Sequence, residues 1–253
     1  MKHRVHILFY VTSLTFICLL LSDHPYFIHL IIGLTIISFV ILSLGVLFMR
    51  MNYFLSSQIN TKTDVCLISF DDGPDPILTP KVLEILKKEN VKAIFFLIGK
   101  KAEDHPEIVR KIVSEGHLIG NHSYSHNHFM SLFSKKRLLQ EINAAQNSLK
   151  NVAGINPIFF RPPIGYTNPN YAKVLKQLNL HCIGWSVRSY DSVLKNSNKL
   201  IKRLLKKVRP GSIILLHDNL PQSVEALELF ISNAKKNGIK FASTESIKEL
   251  LHG

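Results

Sequence analysis

Residues 67–76 read LISFDDGPDP, an apolar run that stops on two adjacent aspartates and a Gly-Pro pair. The run has the length and composition of a buried strand, and the Gly-Pro pair ends it. Two carboxylates side by side disfavour each other's ionised form unless a cation absorbs the charge. The pair is therefore either a solvated turn or half of a cation site, and the rest of the chain decides which.

Downstream of residue 61, apolar runs recur: VCLISF (65–70), AIFFLIG (93–99), HLIGNHS (117–123), IFFRPP (158–163), HCIGWSV (181–187), SIILLHD (212–218) and a weaker KFAST (240–244). Helix-like patterns separate them over 79–90, 104–115, 134–150, 168–179, 195–207, 222–237 and 244–251. Strands apolar on both faces and alternating with helices predict an α/β fold with a parallel, helix-covered sheet. Their regular recurrence predicts closure into a (β/α) barrel. Most runs end on a residue capable of chemistry: Asp71 and Asp72, His122, Arg161, Asp191, His217. In a parallel fold all C-terminal strand ends lie on one side, so these groups are expected to converge on one mouth.

The first 50 residues differ in kind. Residues 5–21 and 27–49 are apolar enough to predict a two-helix membrane hairpin, followed by a polar neck over 51–63 and the main domain over 64–253. A signal peptide is the competing reading of the first segment, but no small-residue cleavage site precedes Ser22 and a second apolar segment follows at once. Lys2 and Arg4 before the first segment, and Arg50 and Lys62 after the second, favour a cytoplasmic face for both ends, since the connecting SDHPY holds no cation.

The 253 residues carry 31 Lys and Arg against 18 Asp and Glu, a net charge of +13. That surplus suits anionic surroundings, with membrane lipid an expected partner. The cations fall on helix-like faces with no interleaved aromatics, so no nucleic-acid partner is expected, nor does any feature call for an obligate protein partner. Three cysteines, Cys18, Cys66 and Cys182, form no metal-binding spacing and read as buried hydrophobes.

His122 and His126 stand four apart, a spacing that on a helical turn puts both imidazoles on one face, able to hold one metal. With Asp72 they make a two-histidine, one-carboxylate set that leaves positions open for water and substrate, while Asp71 stands free as a base. His105, His117, His128 and His181 read as structural, Asp75 and Asp218 as turn or supporting groups, Trp185 as core or pocket wall, and Asn121 and Asn219 as possible substrate contacts.

Five motifs in order, SFDDGP (69–74), HSYSH (122–126), RPPIG (161–165), WSVRSYD (185–191) and LLHD (215–218), resemble those of the polysaccharide deacetylases, the NodB-homology or carbohydrate esterase 4 family. The resemblance spans about residues 64–250 and implies a distorted (β/α)7 barrel that hydrolyses N-acetyl groups on a carbohydrate. It implies Asp72, His122 and His126 as ligands of a divalent metal, zinc by custom with cobalt or nickel accepted. It implies Asp71 as general base, Arg161 as the arginine paired with it, His217 as general acid and Asp191 as the carboxylate orienting that acid. The backbone N–H of Ile164 is the implied oxyanion donor. Ile164 stands where the family often has tyrosine, leaving Tyr166 as a candidate replacement in substrate binding alongside Trp185, and Ser192 stands where tryptophan is common. The expected substrate is a cell-envelope glycan or lipid-linked amino sugar. Deformylation, O-acetyl ester hydrolysis and a silent sugar-binding scaffold are the alternatives.

Overall fold

The computed structural model of the protein describes residues 2–243 and 247–251. Two apolar helices come first, α1 (Lys2–Leu20) and α2 (Phe27–Leu47). The domain then alternates: β1 (Leu67–Gly73), α3 (Leu78–Lys88), β2 (Ala93–Leu97), α4 (Gly99–Asp104), α5 (Pro106–Ser114), β3 (Leu118–Asn121), α6 (Lys135–Ala153), β4 (Phe159–Phe160) and α7 (Pro169–Gln177). β5 (His181–Cys182), β6 (Val187–Arg188), α8 (Ser197–Lys207), β7 (Ile213–His217), α9 (Pro221–Lys236) and α10 (Ile247–Leu251) complete it.

Among the described residues the seven strands form one parallel sheet in the order β5-β4-β3-β2-β1-β7-β6. The run HCIGWSV, expected as one strand, supplies both edges, β5 and β6. Five residues reach at most about 18 Å, so the sheet must curl until its edges nearly meet. This is the distorted barrel expected of the sequence. KFAST contributes only a bridge between Cys66 and Phe241; its last residue, Thr244, and the first three residues of the helix expected over 244–251 lie outside the described residues.

Strand alternation sorts the core into two layers. Ile68 and Phe70 of β1, Phe95 and Leu97 of β2, and Ile214 and Leu216 of β7 pack outward with α3, α5, α8 and α9. Leu67, Ile94, Phe96, Ile213 and Leu215 pack inward with Phe159, Phe160 and Trp185. Asp71 and His217 continue the inward parity of Leu67 and Ile213, which puts both at the inner mouth.

The neck is built into this barrel. Tyr53, Phe54, Leu55, Ser57 and Thr61 are buried. Gln58 bridges Ile183 at the gap between the sheet edges, accepting Gly184 N–H at 2.7 Å and donating its own N–H to Cys182 O at 3.0 Å. Thr61 N–H donates to Gly211 O at 2.8 Å. The segment from 53 to 61 thus fills the seam that β5 and β6 leave open.

α1 and α2 are long and apolar enough to cross a membrane. The base of the hairpin meets the domain: Thr167 N–H donates to Val46 O at 3.1 Å, and Gly45 leaves room for Tyr53, whose ring would lie 2.3 Å from any Cβ there. Cys66 and Cys182 are buried as expected, whereas Cys18 is exposed on α1.

Candidate active site

By parity Asp72 should point away from Asp71. It does not, because β1 breaks register between Asp71 and Gly73 and Asp72 takes φ 71°, a left-handed residue in a bulge. Lys101 Nζ holds the bulge by donating to Asp72 O at 2.8 Å, and Ile98 N–H donates to Gly73 O at 2.9 Å. Both carboxylates consequently line one cavity of about 220 Å³, together with His122, His126, His128, Ile164, Trp185, Arg188, Ser192, Leu215 and His217.

The histidine pair is not helical, contrary to the reason given for its spacing. Ser123 (φ 67°) and His126 (φ 51°) coil the chain back on itself instead, and the rings lie 5.0 Å apart. Ligand atoms of Asp72, His122 and His126 all fall within 4.8 Å of one another; His126 Nε2 is 3.0 Å and His122 Nε2 3.4 Å from Asp72 Oδ1. His122 Nδ1–H donates to Arg161 O at 2.8 Å, which fixes the ring with Nε2 turned toward the carboxylate. Burial works against charge on Asp72, yet hydrogen bonds and charge from His122 and His126 outweigh it and hold its carboxyl well below the usual range. A carboxylate and two imidazoles are the donor chemistry of a divalent metal such as zinc, so these residues fit the expected ion. Asn121, read as a possible substrate contact, is instead a buried strut: its side chain donates to Ile142 O and Gln146 Oε1 and accepts Ser123 N–H.

Arg161 is fully buried, and its Nη1 donates to Asp71 Oδ1 at 2.6 Å and to Ser69 Oγ at 2.9 Å. Nε and Nη2 donate to Ile183 O and Gly184 O, and the guanidinium lies 4.1 Å over the Phe96 ring. Burial lowers the pKa of this guanidinium, and Asp71 opposes the fall. Asp71 Oδ2 stays unpaired by Arg161, 3.8 Å from His122 Nε2.

Across the cavity, His217 Nδ1–H donates to Asp191 Oδ1 at 2.8 Å, while Asp191 Oδ2 accepts the His217 backbone N–H and Ser223 Oγ–H. Burial pulls the imidazole down, but the hydrogen bond and charge of Asp191, with Asp71 and Asp72 behind, push its pKa up to about 9. His217 Nε2 is left facing Asp72 Oδ2 at 4.0 Å. Ile164 takes φ 62° in the turn after β4, and Gly165 (φ 83°) leaves no space for a side chain, since a Cβ would meet Trp185 at 2.4 Å.

The structure thus gathers Asp71, Asp72, His122, His126, Ile164, Trp185 and His217 around one cavity, with Arg161 and Asp191 directly behind two of them. Tyr166 is not among the lining residues. Ser192, noted as standing where tryptophan is common, lines the cavity, and His128, read as structural, lines it too; Arg188 and Leu215 line it without having been singled out for it, Leu215 being readable from parity with His217, whereas the irregular segment holding His128 follows no period. Asn219 lines a neighbouring cavity with Lys100, Lys101 and Asp104.

A carboxylate–arginine pair facing a carboxylate–imidazole pair across a metal-type trio is the equipment of a hydrolase that works by acid–base catalysis. The sequence profile of the polysaccharide deacetylases matches residues 58–183, beginning inside the neck. A peptidoglycan-N-acetylglucosamine deacetylase of Bacillus cereus is 38% identical over 190 residues, 74% of this chain and 68% of that protein. The crystal structure of a peptidoglycan N-acetylglucosamine deacetylase in complex with 4-naphthalen-1-yl-N-oxidanyl-benzamide superposes with a TM-score of 0.70 at 35% identity, covering 76% of this chain and 92% of that one. A carbohydrate esterase 4 pseudoenzyme from Bacillus anthracis superposes with a TM-score of 0.70 at 27% identity, over 77% and 68% of the two chains. The chain belongs to the polysaccharide deacetylase family.

Proposed function

We propose that the chain is a metal-dependent carbohydrate N-deacetylase acting on an N-acetylated glycan of the cell envelope, peptidoglycan foremost, and seated at a membrane by its apolar hairpin. The observation that carries the reading is the facing of the Asp71–Arg161 and His217–Asp191 pairs, each within 4.0 Å of the Asp72–His122–His126 cluster. Asp72, His122 and His126 would hold the metal, zinc in the first instance, and a bound divalent cation acidifies water and polarises an acyl oxygen.

The chain's own groups divide the remaining work. Asp71, oriented by Arg161 through one oxygen, takes a proton from the attacking water with the other. The backbone N–H of Ile164, in the turn at the cavity wall, donates to the oxyanion as the carbonyl becomes tetrahedral. His217, charged at neutral pH and held by Asp191, gives its Nε2 proton to the departing amine nitrogen. Trp185 forms the apolar wall against which the sugar and its acetyl methyl pack.

Acetate release from N-acetylglucosamine oligomers and from peptidoglycan, with and without chelator and with bound metal quantified, tests the reading. Release that is lost with chelator and restored by zinc, cobalt or nickel is expected; retained release by Asp71→Ala and His217→Ala protein sinks it. Formate and ester substrates in the same assay separate deformylase and O-acetyl esterase activity. The resemblance to a pseudoenzyme favours a second reading, a silent sugar-binding scaffold, which sugar affinity without metal or turnover would establish. A peptidoglycan substrate places the catalytic domain on the outer face of the membrane, against the cytoplasmic preference of the flanking cations; a reporter fused after Gly253 decides the side.

A further inference from the structure

The cavity wall contributed by β6 contains a charge arrangement that the reaction does not use. Arg188 closes β6 and lines the cavity together with Trp185, Ser192 and His217. Its guanidinium carbon lies 5.8 Å from the Trp185 ring and 5.2 Å from the Tyr190 ring. Arg203, from α8, lies 4.4 Å from the same Tyr190 ring, and its Nε–H donates to Arg188 O at 3.3 Å. Two guanidiniums therefore converge on one half-exposed aromatic ring, and among the described residues neither forms an ion pair. Asp191, adjacent in sequence, is fully buried and committed to His217 and Ser223. Asp71 is neutralised by Arg161 on the far side, so the uncompensated charge along this wall belongs to the two arginines. α8 adds Lys199, Lys202, Lys206 and Lys207 and no acid.

A guanidinium near an aromatic face is stabilised there while its N–H edge stays available for a planar, two-oxygen acceptor. We propose that Arg188, backed by Arg203 across Tyr190, reads an anionic group on the substrate: a carboxylate or phosphate on the acetylated sugar or on its immediate neighbour. The proposal rests on the deacetylase reading of the same site and narrows it to anionic glycans. The short reach follows from position, because Arg188 lines the same cavity as His217 and the Asp72–His122–His126 cluster. Arg188 would thus be a specificity residue, touching substrate away from the bond that breaks.

The test uses full-length protein in detergent and three matched N-acetylated oligosaccharide series: neutral, carrying a lactyl carboxylate on alternate sugars, and carrying phosphate. Wild-type protein should favour one anionic series by about tenfold in kcat/KM. Arg188→Gln should bring that ratio close to one, mainly through KM, while Arg188→Lys keeps part of it and Arg203→Gln lowers it by about twofold. Raising salt from about 0.05 to about 0.5 M should weaken the wild-type preference and leave Arg188→Gln unmoved. Which anionic series wins identifies the source of the charge. No preference in wild-type protein, or a preference that survives Arg188→Gln, overturns the proposal. Calorimetric binding of the deacetylated oligomers to metal-free protein reports the same ratio without turnover. An anion preference with no acetate released from any series removes the deacetylase reading and leaves the reader; release without preference removes the reader alone. Circular dichroism establishes that Arg188→Gln is folded, and Arg188→Lys and Arg203→Gln carry the comparison if it is not.

Discussion

On the cavity wall formed by β1, β4 and β7, Arg161 sends donors to four acceptors, Asp71, Ser69, Ile183 and Gly184, and none of it reaches solvent. On the wall formed by β6, Arg188 is exposed, and among the described residues its guanidinium lies near the Trp185 and Tyr190 rings and forms no ion pair. One arginine is fixed from every side and can only orient a neighbour; the other keeps its donors for something that arrives. On the proposed reading chemistry sits on the over-determined wall and choice of substrate on the loosely determined one, and perturbing the two should give effects of different size and kind.

The largest effects belong to the buried wall. Asp71→Asn keeps the shape and removes the base, so kcat for acetate release should fall about a thousandfold in protein that is folded but less stable, because the buried Arg161 loses its counter-charge. Arg161→Ala leaves a buried carboxylate and two buried carbonyls without a donor, and denaturant titration should show a loss of about 3–5 kcal/mol.

Next comes Asp191→Asn, expected to lower kcat about a hundredfold. It also changes the pH dependence of stability. The folded-state pKa of His217 is raised from 6.5 to about 9, so the linked stability is complete below pH 6.5 and is lost as pH rises through about 9. Thermal melts of metal-free protein should therefore separate wild type from Asp191→Asn most widely near pH 6 and least above pH 9.

Asp218, on the outer side of β7 against α3, is an exception: Thr79 Oγ–H donates to Oδ2 at 2.6 Å, but Oδ1 is buried and, among the described residues, without a hydrogen-bond partner. Burial raises its pKa to about 7, with the Thr79 hydrogen bond opposing, so what protonation contributes to stability is lost as pH climbs through about 7. Asp218→Asn should gain on the order of 1 kcal/mol at pH 8, a gain that shrinks toward pH 5. At the small end, Ser192→Ala on the exposed wall should change stability by no more than about 0.5 kcal/mol. A large loss there would break the contrast between the walls.

Much of the tied wall was legible in the sequence, because strands obey a period of two. Asp71 and His217 share parity with Leu67 and Ile213, and the convergence of strand ends in a parallel sheet does the rest. Asp72 escapes that rule: only a bulge with a left-handed residue brings it beside Asp71, and no periodicity announces one. The HxxxH spacing picked out two imidazoles that do come together, though not by the expected helical turn, since an irregular loop with two left-handed residues replaces it. The two edge strands were hidden in one apolar run because two residues of pairing at each end are too short to leave a pattern. The loose wall was the least readable, for the same reason that suits it to recognition: Arg188 and Ser192 are exposed, and packing constrains them little.

The stretch that leads from the apolar hairpin to the catalytic domain doubles as a stave of the barrel, with Gln58 wedged where the last two staves fail to touch. A water-soluble version of this enzyme cut at residue 64 would be a cask with an open joint. The same molecule cut ahead of Asn52, whose side chain accepts from both Ser57 N–H and Ser57 Oγ–H, would keep its hoop.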